Sequence, residues 1–363
     1  MSRVATATIS FDALKHNLSI VRQLAPGRKI LAIIKADAYG HGLLTVADGL
    51  QDVDALAVAH IEEAATLRQK TIDKTIVLLQ GFIDESELKK LCSLCVEPVI
   101  HSSYQITILE KTQLPENFRV WLKVDTGMNR LGFSKDEISK AWSRLNKIPQ
   151  LKGRVRLMSH FANADDLKKA HTHEQIDQFN SMTAAYSAEK SLANSAGIMG
   201  WPQSHYEWVR PGIMLYGVSP FMGKTASAHN LKPVMTLQSG IISINHIKKS
   251  QTVGYGSCWQ TAADTQIAVV GCGYGDGYPR HIAEGTKVLI NNELYPIVGR
   301  VSMDMLCVDV GADHRLQVGD SVTLWGDGLP VEYVAEQAGT IAYELLCQVT
   351  SRVHFKLTDN GKN

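Results

Sequence analysis

A lysine that ends an apolar run is the first residue in this 363-residue chain to suggest chemistry. The run Ile30-Leu-Ala-Ile-Ile leads directly into Lys35, and a glycine-rich turn through Gly42 follows. Such a run predicts a strand that is buried on both faces. Lysine is rarely buried without a partner or a task, and the carboxyl end of a strand in an α/β protein is where active sites form. The alternative is a lysine that extends its ammonium into water.

Segments typical of strands and helices alternate around this lysine. A short strand and a helix capped by Ser10 precede it. Seven further strands are predicted at residues 54–59, 75–79, 96–100, 119–124, 155–160, 192–195 and 213–218. Helices are predicted at residues 61–69, 86–94, 104–110, 135–145 and 172–190. With the lysine strand these make eight, which favours an α/β fold with an N-terminal (β/α)8 TIM-type barrel that closes near Val218. A doubly wound open sheet is the alternative, although no strand leads into a Gly-x-Gly-x-x-Gly turn.

The pattern changes after Leu231, where helical periodicity nearly disappears. Short β-rich runs follow at residues 235–246, 265–271, 287–290, 295–298, 303–310 and 321–324. They predict a C-terminal, mainly β domain, and residues 219–232 are the predicted linker. We therefore assign residues 1–231 to the barrel domain and residues 232–363 to the second domain, with which the first strand is able to pair. The tail, residues 359–363, is expected to be frayed.

Composition excludes several classes of protein. The chain is 45% hydrophobic and 20% charged, with a formal net charge of +1, so nothing in its overall charge indicates a nucleic acid or an anionic membrane as partner. No segment is apolar for long enough to be a signal peptide or a membrane span, which predicts a cytoplasmic protein. Its six cysteines are expected to be reduced, including the isolated pair Cys92 and Cys95. His171 and His173 lack a third ligand, so no metal is expected.

Polar residues gather at the predicted strand ends, on one rim of the barrel. They are Lys35 and Tyr39 after the first strand, Lys123, Asp125 and Arg130 around the fifth, His160 after the sixth, Ser195 after the seventh, and Arg210, Gly212 and Ile213 before the eighth. This set offers acid–base groups, cations and small turns whose N–H groups bind phosphate. It fits a phosphorylated carbonyl cofactor such as pyridoxal 5'-phosphate, which needs a lysine amine and a phosphate cradle. It leaves a phosphate-sugar aldolase with a Schiff-base lysine equally open.

Seven motifs together make the chain resemble alanine racemases, the pyridoxal-phosphate enzymes of fold type III. The motifs are Ile34-Lys-Ala-Asp-Ala-Tyr-Gly-His-Gly42, Lys123-Val-Asp-Thr-Gly-Met-Asn-Arg-Leu-Gly132, Ser159-His-Phe-Ala162, Trp208-Val-Arg-Pro-Gly-Ile213, Val253-Gly-Tyr-Gly256, Gly273-Tyr-Gly-Asp-Gly-Tyr-Pro-Arg280 and Val298-Gly-Arg-Val-Ser-Met-Asp-Met305. They follow the family's order over nearly the whole chain. Asp37 is a departure, since the family often has Asn at this position.

The resemblance implies a two-base mechanism. Lys35 would form the Schiff base with the cofactor and act on one face of the substrate Cα, and Tyr255 would act on the opposite face. Free tyrosine has a pKa of about 10 and needs help near neutrality. The resemblance supplies this help through His160, which would hydrogen-bond Tyr255, and through Arg210, which would link His160 to the pyridine nitrogen. Because arginine stays protonated, it would limit electron withdrawal and discourage transamination.

The resemblance also assigns the binding residues. The cofactor phosphate would be held by Tyr39, Ser195, Tyr343 and the backbone of Gly212 and Ile213. The substrate carboxylate would be held by Arg130 and the backbone N–H of Met303. Lys123 matches a family position that is often carbamylated, and the alternative is a lysine paired with a carboxylate. Tyr274, Tyr343 and Asp304 would line a narrow entrance.

The prediction is an alanine racemase, an isomerase that interconverts L- and D-alanine and supplies D-alanine for peptidoglycan. The resemblance places Tyr255 and Met303 across a head-to-tail homodimer, at the Lys35 site of the other subunit. Three alternatives stay open. One is a related racemase or a decarboxylase on the same plan, and another is a racemase that also accepts serine. The third is a non-catalytic pyridoxal-phosphate carrier, which would need neither the β domain nor Tyr255.

Overall fold

The computed structural model describes residues 5–311 and 315–358. The expected frayed tail lies outside these ranges. Across the described part of the chain, no helix has both the length and the apolar character that crossing a membrane requires. The chain starts with strand β1 (Thr6–Ser10) and helix α1 (Phe11–Leu24), and the Ser10 hydroxyl caps α1 by accepting a hydrogen bond from the backbone N–H of Ala13 at 3.2 Å.

Eight parallel strands then close into a barrel, which confirms the predicted fold class. The strands are β2 (Lys29–Ile33), β3 (Ala55–Val58), β4 (Thr75–Leu78), β5 (Val96–Ile100), β6 (Val120–Lys123), β7 (Val155–Met158), β8 (Lys190–Ser191) and β9 (Trp208–Val209). The intervening elements are α2 (Lys35–Gly40), α3 (Leu43–Gly49), α4 (Ile61–Gln69), α5 (Glu85–Ser93), α6 (Ser103–Lys111), α7 (Lys135–Lys147), α8 (His171–Thr183) and α9 (Ser195–Gly200). The strands are short and largely apolar because both of their faces are buried.

The last two barrel strands lie earlier than the sequence predicts. The apolar run from Ile213 to Tyr216 is a buried 3-10 helix instead of a strand, and β9 closes the barrel by pairing with β2. A short buried apolar run fits either structure, so periodicity alone does not distinguish them. Pro211 follows immediately after β9 and Arg210, and its missing N–H ends the ladder there. Helix α8 likewise ends at Thr183, seven residues before the predicted end, which leaves Lys190–Ser191 free to form β8.

A buried ion network closes the end of the barrel that is opposite Lys35. Arg156, near the start of β7, is 8% exposed and bridges Glu97 at 2.7 Å and Glu189 at 2.8 Å. Its guanidinium lies 5.1 Å from the ring centroid of Trp121 and 4.9 Å from that of Trp208. The mostly buried carboxylate of Glu97 is thus matched by Arg156, and the partly exposed carboxylate of Glu189 is matched by Arg156 together with Lys29.

The second part of the chain is mainly β, again as predicted. Its strands are β10 (Met235–Ile247), β11 (Thr252–Val253), β12 (Trp259–Gln260), β13 (Thr265–Val270), β14 (Lys287–Ile290), β15 (Glu293–Val298), β16 (Leu306–Gly311), β17 (Ser321–Trp325) and β18 (His354–Thr358). Strands β11 and β12 form a separate ribbon, and the others join an eight-stranded sheet in the order β13-β16-β15-β14-β17-β10-β1-β18. The alternating burial of β10 reflects a sheet with one face on the core.

Strand β1 belongs to this second sheet. It runs antiparallel to β10 and parallel to β18, with Thr6 opposite both Gln238 and His354. The linker is fastened from both sides. The side chain of Asn17 on α1 donates to the carbonyls of Leu215 and Lys232 and accepts from the N–H of Lys232. These bonds fix how the chain leaves the barrel.

Two helices in the second part, α10 (Val331–Gln337) and α11 (Ala342–Gln348), were not predicted. Each has seven residues, which is too short for a helical period to stand out among the surrounding strands. The carboxylate of Glu332 on α10 accepts from the N–H groups of Ser219 and Ala226 and so ties the linker down. Helix α11 packs against the turn that follows Lys35, and it therefore matters for the site.

Candidate active site

The turn after β2 presents Lys35 in an unusual backbone conformation. The four residues from Ala36 to Tyr39 all have φ between 51° and 54°, so α2 is a left-handed turn. Left-handed backbone is unfavourable for residues with a Cβ, and a run of four persists only where the surroundings fix it. Here the carboxylate of Asp37 accepts from the N–H of Leu43 at 2.6 Å, and the N–H of Asp37 donates to Glu63 at 3.2 Å.

Helix α11 holds the turn from outside. Gly40 has φ +76°, and a Cβ at this position would lie 2.1 Å from the carbonyl oxygen of Leu346. The two backbones touch, and only glycine permits this approach. On the same face of α11, the ring of Tyr343 lies 5.9 Å from that of Tyr39. The Lys35 turn is therefore clamped by a helix of the second part of the chain.

The surroundings of Lys35 favour its neutral amine. Burial and the charge of Arg130 lower the pKa of Lys35, and Cys347 and Glu63 oppose this shift. A neutral amine is the form that attacks a carbonyl or accepts a proton. Lys35 is thus placed and tuned as a nucleophile or a base at the carboxyl end of a barrel strand.

Donor groups converge on one spot beside Tyr39. The hydroxyl of Ser195 accepts from the backbone N–H of Gly212 at 2.9 Å and of Met214 at 3.3 Å. A Cβ on Gly212 would lie 2.7 Å from the Tyr39 hydroxyl, so this hydroxyl rests against the Gly212 backbone. Ile213 begins the 3-10 helix Ile213–Tyr216 at the same place. Two hydroxyls and backbone N–H groups at a helix start form an arrangement that fits a phosphate.

Arg210 and His160 form a buried pair on the same rim. Arg210, 3% exposed, donates to the Ser191 hydroxyl at 2.8 Å and to the Ser159 carbonyl at 2.5 Å, and it lies 3.3 Å from Nδ1 of His160. Burial lowers the pKa of Arg210 to about 10, which leaves it charged near neutrality. Burial, together with the charges of Lys123 and Arg210, holds the pKa of His160 well below its ordinary value. His160 is therefore neutral beside a permanent cation.

Lys123 lies among cations. Burial, then the charges of Arg210 and Arg130, lower the pKa of Lys123 to about 7, while Asp125 opposes them. The carboxylate of Asp125 is occupied by the N–H groups of Gly127 and Asn129. Within residues 5–311 and 315–358, neither Lys123 nor Arg130 has a side-chain hydrogen bond or an ion pair. This corner of the site carries an excess of positive charge.

The residues predicted from the second domain form a separate, exposed group. Tyr255 is 69% exposed and Met303 is 53% exposed. The guanidinium of Arg280 lies 5.6 Å from the ring centroid of Tyr274, and Asp304 pairs with Arg352 at 2.6 Å. The described contacts within one chain join none of Tyr255, Met303 and Asp304 to Lys35. The structure thus gathers the predicted barrel residues, and it adds only Tyr343 from the second domain.

Two residues that contact this site, His41 and Tyr216, were not among the predicted site residues. Both are buried, and their rings lie 4.7 Å apart. His41 lies two residues after Tyr39, within the motif from Ile34 to Gly42, and this position could have indicated that His41 lies near the site. For metals, the described residues contain no cluster of three or more His, Cys, Asp or Glu side chains able to hold an ion.

Models of two protein families match the chain. The model described as alanine racemase, N-terminal domain, matches residues 9–220, and the model described as alanine racemase, C-terminal domain, matches residues 234–357. Together they span the barrel and the mainly β part.

Similar proteins carry the same name. Alanine racemases of Aeromonas hydrophila subsp. hydrophila and Haemophilus influenzae are each 48% identical to this chain, over 97% and 98% of its length and 98% and 99% of theirs. The biosynthetic alanine racemase of Pseudomonas aeruginosa, a crystal structure, has a TM-score of 0.95 at 39% identity and covers 99% of this chain and 100% of its own. A crystal structure of alanine racemase from Bartonella henselae with covalently bound pyridoxal phosphate has a TM-score of 0.89 at 30% identity, with 98% and 100% coverage. The chain belongs to the alanine racemase family and is an isomerase of that family.

Proposed function

We propose that this protein interconverts L- and D-alanine with pyridoxal 5'-phosphate, by a two-base mechanism that uses Lys35 and Tyr255. The observation that carries the proposal is the shared rim, where Lys35 with its lowered pKa, the donors around Ser195 and the Arg210–His160 pair lie together. When bound, the cofactor supplies an electron sink that acidifies the Cα proton of alanine. Lys35 Nζ holds the cofactor and exchanges a proton on one face of Cα.

The residues around Ser195 fit the cofactor phosphate. We propose Tyr39, Ser195, Tyr343 and the backbone of Gly212 and Ile213 as its ligands. The close approach of the Tyr39 hydroxyl to Gly212 supports this assignment because any side chain at 212 would fill the space between them. Arg210 is proposed to donate to the pyridine nitrogen, and it stays charged near neutrality because its pKa, although lowered by burial, is about 10.

We infer that His160 has the tautomer required to assist Tyr255. Arginine can only donate, so Nδ1 of His160 accepts from Arg210, and the single proton of the neutral ring is on Nε2. That N–H can donate to a phenolate oxygen, and a hydrogen bond to the charged form lowers the pKa of a tyrosine. We propose that His160 acts on Tyr255 in this way, so that Tyr255 moves a proton on the face of Cα opposite Lys35.

The substrate carboxylate is proposed to bind Arg130 and the backbone N–H of Met303. Arg130 has no acidic partner in the described part of the chain, which leaves its guanidinium available to a carboxylate. We propose that Lys123 becomes carbamylated and then orients Arg130. Tyr274, Tyr343 and Asp304 are proposed to narrow the entrance and to favour a small side chain.

A head-to-tail homodimer would bring the two groups of residues together. We propose that residues 1–231 bind the cofactor and that residues 232–363 of the partner complete the site. The exposure of Tyr255 and Met303 supports this, because large side chains that one chain leaves exposed are available to a partner. Sedimentation of the active enzyme tests it, and full activity from a monomer would exclude it.

The cellular role follows from the product. We propose that the enzyme is cytoplasmic and supplies D-alanine for peptidoglycan. All six cysteines are free in the structure, which fits a reducing compartment.

The experiment that tests the function incubates the holoenzyme with L-alanine in deuterated water. Formation of D-alanine with deuterium at Cα is expected. The variant Tyr255→Phe should lower racemisation by at least a hundredfold, because general acid–base groups contribute roughly that much. Cofactor binding without any exchange at Cα would instead indicate a carrier. Faster deuterium exchange at Cα of serine than at Cα of alanine would identify serine as the preferred substrate.

A further inference from the structure

His41 is a buried titratable residue that the proposed mechanism does not use. It is 1% exposed. Its Nδ1 lies 2.9 Å from the carbonyl oxygen of Tyr39, and its ring centroid lies 4.7 Å from that of Tyr216. The imidazole therefore contacts the end of the left-handed turn directly.

The chemistry of this contact defines the state of His41. A carbonyl oxygen can only accept a hydrogen bond, so the proton must be on Nδ1. Burial lowers the pKa of His41 to about 4, which keeps the ring neutral under ordinary conditions. The single N–H of the ring is thus spent on the Tyr39 carbonyl, and the bond does not change with pH near neutrality.

Tyr216 extends this support to the other end of the turn. Its hydroxyl donates to the carbonyl of Ile33 at 2.9 Å, and Ile33 is the last residue of β2. Its ring stacks on that of Tyr39, with centroids 4.7 Å apart and planes inclined by 29°. The stack of His41, Tyr216 and Tyr39 therefore holds the chain both before and after Lys35.

We propose that His41 is a positioning residue for the cofactor. His41 fixes the left-handed turn so that Lys35 Nζ and the Tyr39 hydroxyl contact the same bound molecule. The proposal rests on the proposed function of Lys35. Four left-handed residues in succession would relax without such support. Relaxation would rotate Lys35 and Tyr39 away from each other, although neither side chain is changed.

Two substitutions at residue 41 separate the hydrogen bond from simple packing. In His41→Asn the side-chain amide places an N–H near the position of Nδ1, whereas His41→Leu has no donor. The first readout is the affinity for pyridoxal phosphate, measured from the visible absorbance of the lysine-bound cofactor. The second is the peptide that carries the cofactor after borohydride reduction, identified by mass spectrometry. His41→Leu is expected to bind about tenfold more weakly, with less label on Lys35, and His41→Asn to stay within about threefold of the unchanged protein.

Stability is controlled separately. Leu145→Ala, a fully buried position on α7, provides a variant of reduced stability away from the turn. Should His41→Leu fail to fold, His41→Met, which also lacks an N–H donor, replaces it. The proposal would be overturned if His41→Leu bound pyridoxal phosphate no more weakly than Leu145→Ala does. It would also be overturned if His41→Asn and His41→Leu bound the cofactor equally weakly. If the unchanged protein carries no label on Lys35, the proposed function itself is wrong, so the two failures are distinguishable.

Discussion

The electrostatics of Lys123 lead to a prediction about carbon dioxide. A neutral lysine amine reacts with CO₂ by forming an N–C bond and releasing one proton to water, which gives a carbamate anion. Because burial and two arginines lower the pKa of Lys123 to about 7, we expect this lysine to react at neutral pH. The product would place a negative charge beside Arg130 and Arg210, whose like charges act on the unmodified lysine and outweigh the opposing charge of Asp125.

The size of the effect follows from the pKa. At pH 7 about half of a group with a pKa of about 7 is neutral, whereas for the ordinary lysine value of 10.5 only roughly one molecule in three thousand is neutral. Lys123 therefore offers on the order of a thousand times more reactive amine than an ordinary lysine. The repulsion that lowers its pKa becomes attraction once the carbamate forms, which stabilises the product further.

The assay is carbon-13 NMR of the protein in labelled bicarbonate at pH 7. One strong carbamate signal is expected, and it should disappear in Lys123→Met but persist in Lys135→Met, which removes an exposed lysine on α7. Removal of CO₂ should raise the KM for alanine, because Arg130 would lose its orienting anion. A wild-type spectrum without the signal, or an unchanged signal in Lys123→Met, would refute the reasoning.

Three further predictions concern stability. Arg156→Leu should lower the free energy of unfolding in urea by about 3 kcal/mol, since it leaves the mostly buried carboxylate of Glu97 without its cation and Glu189 with Lys29 alone, and KM should not change at the distant site. Burial opposes ionisation of Glu189, but hydrogen bonds from Lys29 and Trp208 and the charge of Arg156 together lower the pKa of Glu189 from 4.5 to about 2. The stabilising contribution of Glu189 is therefore complete above pH 4.5 and is lost as the pH falls through about 2. Glu189→Gln should flatten the pH dependence of the unfolding free energy in that window. An unaltered slope in the variant would contradict this. Gly40→Ala should lower the unfolding free energy by about 2 kcal/mol more than Gly153→Ala, because both glycines have positive φ but only Gly40 faces a backbone atom. Equal losses of unfolding free energy in the two variants would show that the close contact with Leu346 does not affect stability.

The sequence predicted the parts of the fold that follow from period and count. Alternating apolar runs and amphipathic segments identified the barrel, since eight parallel strands with intervening helices have few other arrangements. The rim residues followed because a parallel barrel brings all carboxyl strand ends to one side. Lys35 and Ser195 were predicted to lie there from their positions relative to a strand, whereas Arg210 was placed before the predicted eighth strand and in fact follows β9.

Other features depend on contacts that no local pattern encodes. Residues 213–216 have the apolar character of a strand and form a 3-10 helix, because Pro211 had already ended the ladder. Strand β1 joins the second sheet through partners more than two hundred residues away. The left-handed turn from Ala36 to Tyr39 has no sequence signal, since none of these residues is glycine and the conformation is imposed by what surrounds it.

The second part of the chain therefore has two separate relations to Lys35, one observed and one proposed. Through α11 it supports the Lys35 turn of its own chain, with the Leu346 carbonyl against Gly40 and Tyr343 beside Tyr39. Through the exposed Tyr255 it is proposed to serve the partner's lysine. A change at the α11 contact is expected to alter how Lys35 is presented, whereas a change at Tyr255 is expected to alter only the proposed proton transfer on the opposite face of Cα. Within its own chain the β domain supports the Lys35 turn, and its proposed catalytic contribution requires the proposed dimer.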